Sequence, residues 1–84
     1  MPSGRRDKFE IFEEILKLTR DRIGKTAIIY GANLNHSRAN EYLGILKSKG
    51  FIEVGEEKPK KYEITEKGEN FLEHFVSLKK EFDE

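Results

Sequence analysis

Apolar side chains recur at helical spacing in four stretches of this chain, and two shorter stretches alternate between apolar and polar residues. The first helical stretch begins after Asp7, whose carboxylate can accept N–H groups of the opening turn, and it predicts a helix that ends near residues 22–24. Its apolar stripe consists of Phe9, Phe12, Ile15 and Leu16. Ile11 and Leu18 widen that stripe, so we expect the helix to pack against two neighbours, one of them in a second subunit.

Residues 26–32 predict a second, very short helix with Thr26 as its cap and with Ile28 and Ile29 directed inward. The two β-branched residues would suit a strand equally well if this stretch stood alone. A glycine-containing turn at residues 31–34 then leads into the third helical stretch. Two helices joined by such a turn form a helix-turn-helix.

The third helical stretch has both of its ends marked in the sequence. Asn35 can cap the first turn, and Gly50 can take the left-handed conformation that ends a helix. The apolar stripe between them consists of Ala39, Tyr42, Leu43 and Leu46. The remaining positions therefore face away from the core and form a mostly small and polar outer face along residues 36–48.

Residues 51–56 and 61–64 alternate between apolar and polar side chains and predict the two strands of a hairpin. Pro59 lies in the polar connection, where its missing N–H interrupts no strand pairing. Thr65 then caps a fourth helix that extends to about residue 83. A seam at 4-3-4 spacing runs along this helix and consists of Phe71, Phe75, Leu78 and Phe82, with Leu72 and Val76 beside it.

The order helix, short helix, helix, hairpin, helix predicts one domain over residues 1–84, mainly α with a small β-hairpin, in the winged helix-turn-helix arrangement. The runs KTAIIYGANLNHSRANEYLGILKSKGFIEV and KYEITEKGENFLE resemble the small archaeal winged-helix DNA-binding proteins and transcriptional regulators. The Lys-Gly-Phe-Ile ending of the third helix and the Tyr-x-Ile-Thr-x-Lys-Gly run before the last one carry the resemblance most distinctively. It implies double-stranded DNA as the partner and dimerisation through the last helix, residues 65–83.

The composition of the chain and the motifs that it lacks argue against several classes of protein. The chain has no cysteine, and its longest apolar run, residues 27–30, is too short for a membrane span or a signal peptide, so we expect a cytoplasmic protein. The 16 basic and 16 acidic side chains cancel, but residues 25–50 carry a net +3 and residues 65–84 a net −3. There is no phosphate-binding glycine loop, nucleophile elbow or metal-ligand motif, so we expect no enzyme, cofactor, metal ion or small-molecule ligand.

The third helix, residues 36–48, is expected to enter a major groove with its N-terminal residues toward the base edges. The predicted base contacts are His36, Ser37, Arg38, Asn40 and Glu41. Arginine can pair with guanine, asparagine with adenine and glutamate with cytosine, while Gly44 would let the duplex come close. Glu41 would repel phosphates unless it reads a cytosine or is held by Arg38. The alternative is that these short polar residues merely solvate a surface helix.

The hairpin connection, residues 56–61, is the expected wing, and its lysines would meet backbone phosphates. The predicted backbone contacts are Lys25, Thr26, Lys47, Lys58, Lys60 and Lys61. The wing lysines could instead belong to a solvated turn that protects a strand edge, and Lys25 and Thr26 to an ordinary helix cap. Residues 1–6 read as a flexible basic arm that either reaches a minor groove or remains a disordered tail.

The seam of the last helix predicts a homodimer, because its apolar surface exceeds one stripe on a small chain. The predicted interface residues are Phe71, Leu72, Phe75, Val76, Leu78 and Phe82. The alternative is that these aromatic residues pack onto the first helix of the same chain. A symmetric dimer would present two recognition helices about 34 Å apart, or a multiple of that distance.

Together these patterns predict a homodimeric protein that binds double-stranded DNA in a sequence-specific manner and regulates transcription. Two alternatives stay open. A winged helix that binds another protein is favoured by the zero net charge and by Glu41. A chromatin-type protein that binds DNA without sequence preference would differ from a regulator only in its specificity ratio.

Overall fold

The computed structural model describes residues 7–82, which form four α-helices, a 3-10 turn and three short strands. In chain order these are α1 (Lys8–Leu18), the 3-10 turn (Thr19–Asp21), β1 (Ile23–Gly24), α2 (Lys25–Gly31), α3 (His36–Ser48), β2 (Ile52–Val54), β3 (Lys61–Ile64) and α4 (Glu66–Phe82). The predicted fold class, a mainly α winged helix-turn-helix with a small β-sheet, is confirmed. Within residues 7–82, no helix is long and apolar enough to cross a membrane.

The first helix is shorter than its periodicity predicted. Asp7 caps α1 as expected, with its Oδ1 accepting an N–H of the first turn at 2.9 Å, but the helix ends at Leu18 rather than near residues 22–24. The chain tightens into the 3-10 turn, and Arg22 then takes a left-handed conformation with a φ of 54°. This turn redirects the chain into β1, which at two residues is too short to show an alternating pattern in the sequence.

The sheet has three antiparallel strands in the order β1-β3-β2, one more than the predicted hairpin. β1 pairs with β3 through Ile23 opposite Tyr62, and β2 pairs with the other edge of β3. Because Gly24 is extended and belongs to β1, α2 begins directly after it at Lys25. Gly24 therefore occupies the N-cap position, without a side-chain cap, and the prediction that Thr26 caps this helix is wrong.

The turn between α2 and α3 uses an asparagine where a glycine was expected. Gly31 is the last residue of α2, and Asn33 takes the left-handed conformation with a φ of 56°. The Leu34 N–H closes the turn by donating to the Ile29 carbonyl oxygen at 2.9 Å. Asparagine tolerates this conformation better than most residues, so it can end a helix in the way that glycine does.

Both predicted ends of α3 are confirmed. The Asn35 Oδ1 accepts the Arg38 N–H at 2.7 Å, which satisfies one donor of the first helical turn. Gly50 is left-handed, with a φ of 81°, and the following Phe51 N–H donates to the Leu46 carbonyl oxygen at 2.9 Å. This is the hydrogen bond of a glycine-terminated helix, and it turns the chain sharply from α3 into β2.

The end of α3 is bonded directly to the start of α4. The Thr65 hydroxyl accepts the Gly68 N–H at 3.0 Å as the predicted cap, and it also donates to the Gly50 carbonyl oxygen at 2.6 Å. A Cβ on Gly68 would overlap the Phe51 carbonyl oxygen, so only glycine fits at this position without a shift. The two sequence runs that carry the family resemblance therefore meet in one junction.

The core lies within a single chain and includes residues whose apolar surface had been assigned to a second subunit. Ile11 and Leu72 are each 2% exposed, and Leu18 and Val76 pack half-buried against the same core. The buried apolar residues are Ile11, Phe12, Ile15, Leu16, Ile28, Ala32, Ala39, Tyr42, Leu43, Leu46, Ile52, Tyr62 and Leu72. Because α4 packs on α1, Leu72 is enclosed by its own chain, and its predicted place in a dimer interface is wrong. The same burial removes Ile11 as a contact for a second subunit.

Ion pairs fasten α1 and the 3-10 turn to α4. The side chain of Glu13 is only 9% exposed, and its carboxylate lies 3.0 Å from both the Lys17 and the Lys79 ammonium groups. Burial raises the pKa of Glu13, but the hydrogen bonds from Lys79 and Lys17 together outweigh it and hold this pKa below its ordinary value. Further along, the Arg20 guanidinium bonds both carboxylate oxygens of Glu69 at 2.7–3.1 Å.

Candidate nucleic-acid interface

The outer face of α3 is exposed along its length. The five predicted base-contact residues, His36, Ser37, Arg38, Asn40 and Glu41, are all exposed. Gly44 lies one turn beyond Asn40, and nothing lies within 4 Å of the position that a Cβ would take there. A groove of another molecule can therefore approach the α3 backbone at this point without meeting a side chain.

Two shallow grooves adjoin this face and share residues of the sheet. The groove between α3 and the sheet is lined by Asn40, Leu43, Gly44, Lys47, Val54, Lys60 and Tyr62. The groove between the start of α2 and the wing is lined by Gly24, Lys25, Thr26, Ala27, Pro59, Lys60, Lys61 and Tyr62. Lys60 and Tyr62 border both grooves, so one basic surface runs from α2 past the wing to α3.

The structure thus brings most of the predicted contact residues together. Five of the six predicted backbone-contact residues line the two grooves, and they are Lys25, Thr26, Lys47, Lys60 and Lys61. Lys58 is exposed in the connection between β2 and β3 and does not line either groove. The unpredicted strand β1 explains this grouping, because its pairing with β3 holds the start of α2 beside the wing.

A hydrogen bond links α2 to α3 at the edge of this surface. The half-buried Lys25 directs its ammonium group at Asn40 and donates to Oδ1 at 2.5 Å. The charge of Lys25 is therefore held against α3. Sequence reasoning missed this contact, since residues 15 positions apart show no local pattern that would connect them.

Arg38 is paired with Tyr42 and not with Glu41. Its Nη2 donates to the tyrosine hydroxyl at 2.9 Å, and its guanidinium lies over the ring, 5.5 Å from the centroid. The hydrogen bond raises the pKa of Arg38 above its ordinary value, so the side chain stays charged. The spacing of four residues along a helix was the signal that could have indicated this pair. Within residues 7–82 Glu41 forms no ion pair, so its negative charge remains on the outer face.

Arg22 binds two acidic side chains beside the wing. Its Nη2 lies 2.6 Å from Glu57 Oε2, and its Nη1 lies 3.0 Å from Glu63 Oε1. The pKa of Glu57 is lowered first by a hydrogen bond from the backbone of Glu57 and then by the hydrogen bond from Arg22. The arginine thus offsets part of the negative charge that these two carboxylates place beside the wing lysines.

A second exposed surface is apolar and lies where α1 meets α4. We name it the aromatic groove, and it is lined by Phe9, Phe71, His74, Phe75 and Leu78. The Phe75 ring lies 6.3 Å from the Phe9 ring of α1, so the aromatic residues do pack partly within their own chain. Leu78 is nevertheless 58% exposed, and Phe82, the last residue of α4, is 85% exposed. The groove therefore combines internal packing with an open apolar rim.

The exposure of two aromatic side chains was not expected from the sequence, and one predicted segment lies outside the described residues. Phe9 belongs to the predicted apolar stripe of α1 but is 47% exposed, and Tyr30 of α2, to which no role was assigned, is 80% exposed. Among residues 7–82 no group of three or more His, Cys, Asp or Glu side chains is placed to hold a metal ion. The predicted basic arm, residues 1–6, lies outside the described residues.

The helix-turn-helix, the adjoining wing and the basic surface between them define the class of this protein. The profile of the winged helix-turn-helix family matches residues 5–82, and the chain belongs to that family. Two similar proteins and one similar solved structure, described next, come from archaea, which confirms the resemblance drawn from the two sequence runs.

Two of these relatives are proteins of Methanocaldococcus jannaschii. Uncharacterized protein MJ0290 is 39% identical over 74 residues, which are 87% of this chain and 34% of that protein. Uncharacterized protein MJ0287 is 35% identical over 75 residues, which are 88% of this chain and 74% of that protein. The chain therefore spans about a third of the length of MJ0290 and about three-quarters of MJ0287.

A solved structure shows the same fold. The crystal structure of Sso10a-2, a DNA-binding protein from Sulfolobus solfataricus, superposes with a TM-score of 0.74 at 34% sequence identity. The match covers 90% of this chain and 84% of that one, so it extends over nearly the whole domain.

Proposed function

We propose that this protein binds double-stranded DNA, with α3 in the major groove and the wing on the sugar-phosphate backbone. The observation that carries the proposal is the groove in which Asn40 and Lys47 of α3 meet Lys60 of the wing. A DNA duplex presents hydrogen-bonding base edges flanked by phosphates. A polar helix face bordered by lysines is complementary to that arrangement.

The dimensions of α3 also support the proposal. The helix has 13 residues and is about 20 Å long, and a major groove about 12 Å wide admits a helix of this kind. The similarity to Sso10a-2 adds weight, because that protein binds DNA and matches this chain over 90% of its length.

Fluorescence anisotropy with duplex DNA at several salt concentrations tests the proposal. Roughly four to six phosphate contacts per subunit would give a slope of log affinity against log salt of about −3.6 to −5.4. Replacing Lys58, Lys60 and Lys61 together by alanine should weaken binding and make this slope shallower. Lys80→Ala on α4 is the control for loss of a lysine outside the two grooves, and it should leave both unchanged. Absence of binding at about 50 mM salt would refute the proposal.

We infer further that binding is sequence-specific and serves transcriptional regulation. The support is that two of the side chains able to read bases are held in place, Arg38 by Tyr42 and Asn40 by Lys25. Such fixed donors suit recognition of particular base edges. Selection of preferred duplexes followed by competition with random DNA measures the specificity ratio. A regulator should show a ratio of about 10³ or more, whereas a ratio near one would favour the chromatin-type alternative.

We also propose that two copies associate through the aromatic groove and the C-terminal end of α4. The support is the exposure of Leu78 and Phe82 next to the stacked rings of Phe71 and Phe75, whose centroids are 6.1 Å apart. Leu78→Glu and Phe82→Glu are the best test variants, because both positions are exposed in the single chain and folding does not depend on them. Sedimentation should show a dimer for the original protein and a monomer for these variants. A monomeric original protein at micromolar concentration would contradict the proposal.

The rival function is recognition of another protein through α3, and it is favoured by the carboxylate of Glu41, which forms no ion pair with residues 7–82. Glu41→Gln tests whether this carboxylate opposes DNA binding, because it removes the negative charge and keeps the shape. A DNA-binding protein should bind most duplexes more tightly after this change, since phosphate repulsion is relieved. Weaker binding to every duplex would show that Glu41 does not repel DNA and instead forms a favourable contact with it.

A further inference from the structure

The hydrogen bond between Lys25 and Asn40 fixes which way the Asn40 amide faces. A lysine ammonium group has donors and no acceptor, so the atom that it contacts must be the carbonyl oxygen Oδ1 and not the amide nitrogen. The contact measures 2.5 Å, and Nδ2 forms no hydrogen bond with any other residue of the described range 7–82. The two amide N–H groups of Asn40 are therefore available to another molecule.

These N–H groups lie on the surface that the proposed DNA complex uses. Asn40 is exposed in the second turn of α3 and lines the groove shared with Lys47 and Lys60. Lys25 lines the adjoining groove between α2 and the wing. The amide is thus presented to the groove beside an ammonium group, with further positive charge along the same surface.

The orientation of the Asn40 amide, with its oxygen bonded to Lys25, bears on which base this side chain can bind. Asparagine reads adenine through two bonds, with Oδ1 accepting from the N6 amino group and Nδ2 donating to N7. Here Oδ1 already accepts a hydrogen bond from Lys25. Oδ1 has a second lone pair, but an adenine amino group that donated to it would come close to the positive charge of Lys25. Guanine offers two acceptors at the same edge, O6 and N7. A pair of donors, one of them charged, matches guanine and opposes adenine.

We propose that Lys25 is a positioning residue for Asn40, and that the pair selects guanine over adenine at one position of the bound DNA. This inference rests on the DNA binding proposed above. Lys25 acts by holding Oδ1 away from the base and by placing positive charge beside the amide N–H groups. The expectation from residue type alone, that Asn40 reads adenine, is thereby reversed.

A selection experiment tests the base preference. The protein is incubated with a pool of duplexes randomised over their central base pairs, and the bound fraction is sequenced. Comparison with Asn40→Ala identifies the position at which this residue determines the base. Single duplexes that differ only there are then compared by anisotropy, and guanine should be preferred over adenine by about 5- to 150-fold, the range that one well-placed pair of base contacts supplies.

Two substitutions of Lys25 separate positioning from general affinity. Lys25→Met removes the donor and keeps a long helix-forming side chain, so the preference at this position should shift toward adenine. Lys25→Arg retains a group with donors only and should keep the guanine preference. Lys49→Met, which removes an exposed charge just after α3, is the control for loss of a cation and should leave the base preference unchanged.

The outcomes distinguish this inference from the proposed function. An adenine preference in the original protein, binding without any base preference, or an unchanged guanine preference in Lys25→Met would each overturn the inference while DNA binding stands. No duplex binding at all would refute the proposed function, and the inference with it. In the free protein, NMR provides a measurement without DNA: the Asn40 side-chain amide signals should shift in Lys25→Met, and unchanged signals would show that the contact does not form.

Discussion

Gly44 offers a test in which stability and DNA binding should change in opposite directions. It occupies an interior position of α3, and a Cβ placed there would meet nothing within 4 Å. Gly44→Ala should therefore stabilise the free protein by about 0.5–1 kcal/mol, because alanine loses less conformational entropy than glycine in a helix. For a domain of this size the melting temperature should rise by about 2–8 °C.

The DNA complex should respond to the size of the added side chain. Gly44→Leu places a large apolar group where the proposed duplex comes closest to the α3 backbone. To avoid overlap the helix must move outward, which lengthens the neighbouring contacts to base edges. Loss of one well-placed base contact corresponds to about 1–3 kcal/mol, so affinity should fall by about 5- to 150-fold. Gly44→Ala should show a smaller loss than Gly44→Leu.

Thermal melting and anisotropy at one fixed salt concentration measure the two effects. Ser77→Leu is the matched control, since it adds the same side chain at an exposed helix position on α4, in the depression lined by Lys17 and Arg20. It should leave DNA affinity unchanged. If Gly44→Leu folds and still binds DNA as tightly as the original protein, the outer face of α3 does not enter the groove, and the proposed docking is wrong.

Two further predictions concern stability. Gly68→Ala should destabilise the protein by about 3 kcal/mol or more in urea unfolding, because the new Cβ would overlap the Phe51 carbonyl oxygen and lie 2.8 Å from the Ile64 side chain; a loss below about 1 kcal/mol would show that the junction relaxes easily. Glu13→Gln should cost about 1 kcal/mol near neutral pH, since its lysine partners are partly exposed and screened by solvent. Folding lowers the pKa of Glu13, so its contribution is complete above the ordinary value of 4.5 and is lost as the pH falls below it. Urea unfolding between about pH 7 and pH 3 should therefore show a weaker pH dependence for the variant, and equal dependence in both proteins would contradict the assignment.

The starts of α1, α3 and α4 and the end of α3 were predictable because their signals are local. Asp7, Asn35 and Thr65 each accept an N–H three residues further along the chain, and a capping pattern of that length is visible in sequence. The left-handed Gly50 belongs to the same class of signal. The order of the four helices and the hairpin strands β2 and β3 followed from these ends together with the apolar periodicity, and the family resemblance then followed from the same segments.

Features that depend on tertiary packing were not predictable in this way. Periodicity shows that α4 has a broad apolar face, but it does not show which part of that face meets α1. Leu72 is 2% exposed and Leu78 is 58% exposed, although both belong to the same apolar pattern. The hydrogen bond from Lys25 to Asn40 was not predictable for the same reason, since it depends on how α2 crosses α3. The base preference inferred for Asn40 therefore required the structure.

The junction around Thr65 connects the two surfaces of the protein. One hydroxyl bonds the Gly50 carbonyl oxygen at the end of α3 at 2.6 Å and the Gly68 N–H at the start of α4 at 3.0 Å. Gly68 packs against the Phe51 carbonyl, so the segment that leaves α3 for the wing is held by the same contacts. Because α3, the wing and α4 are joined within a few residues, α3 cannot rotate relative to α4 without breaking these bonds. In the proposed dimer, the contact between two α4 helices would then determine the distance between the two recognition helices, and with it the spacing of the DNA half-sites.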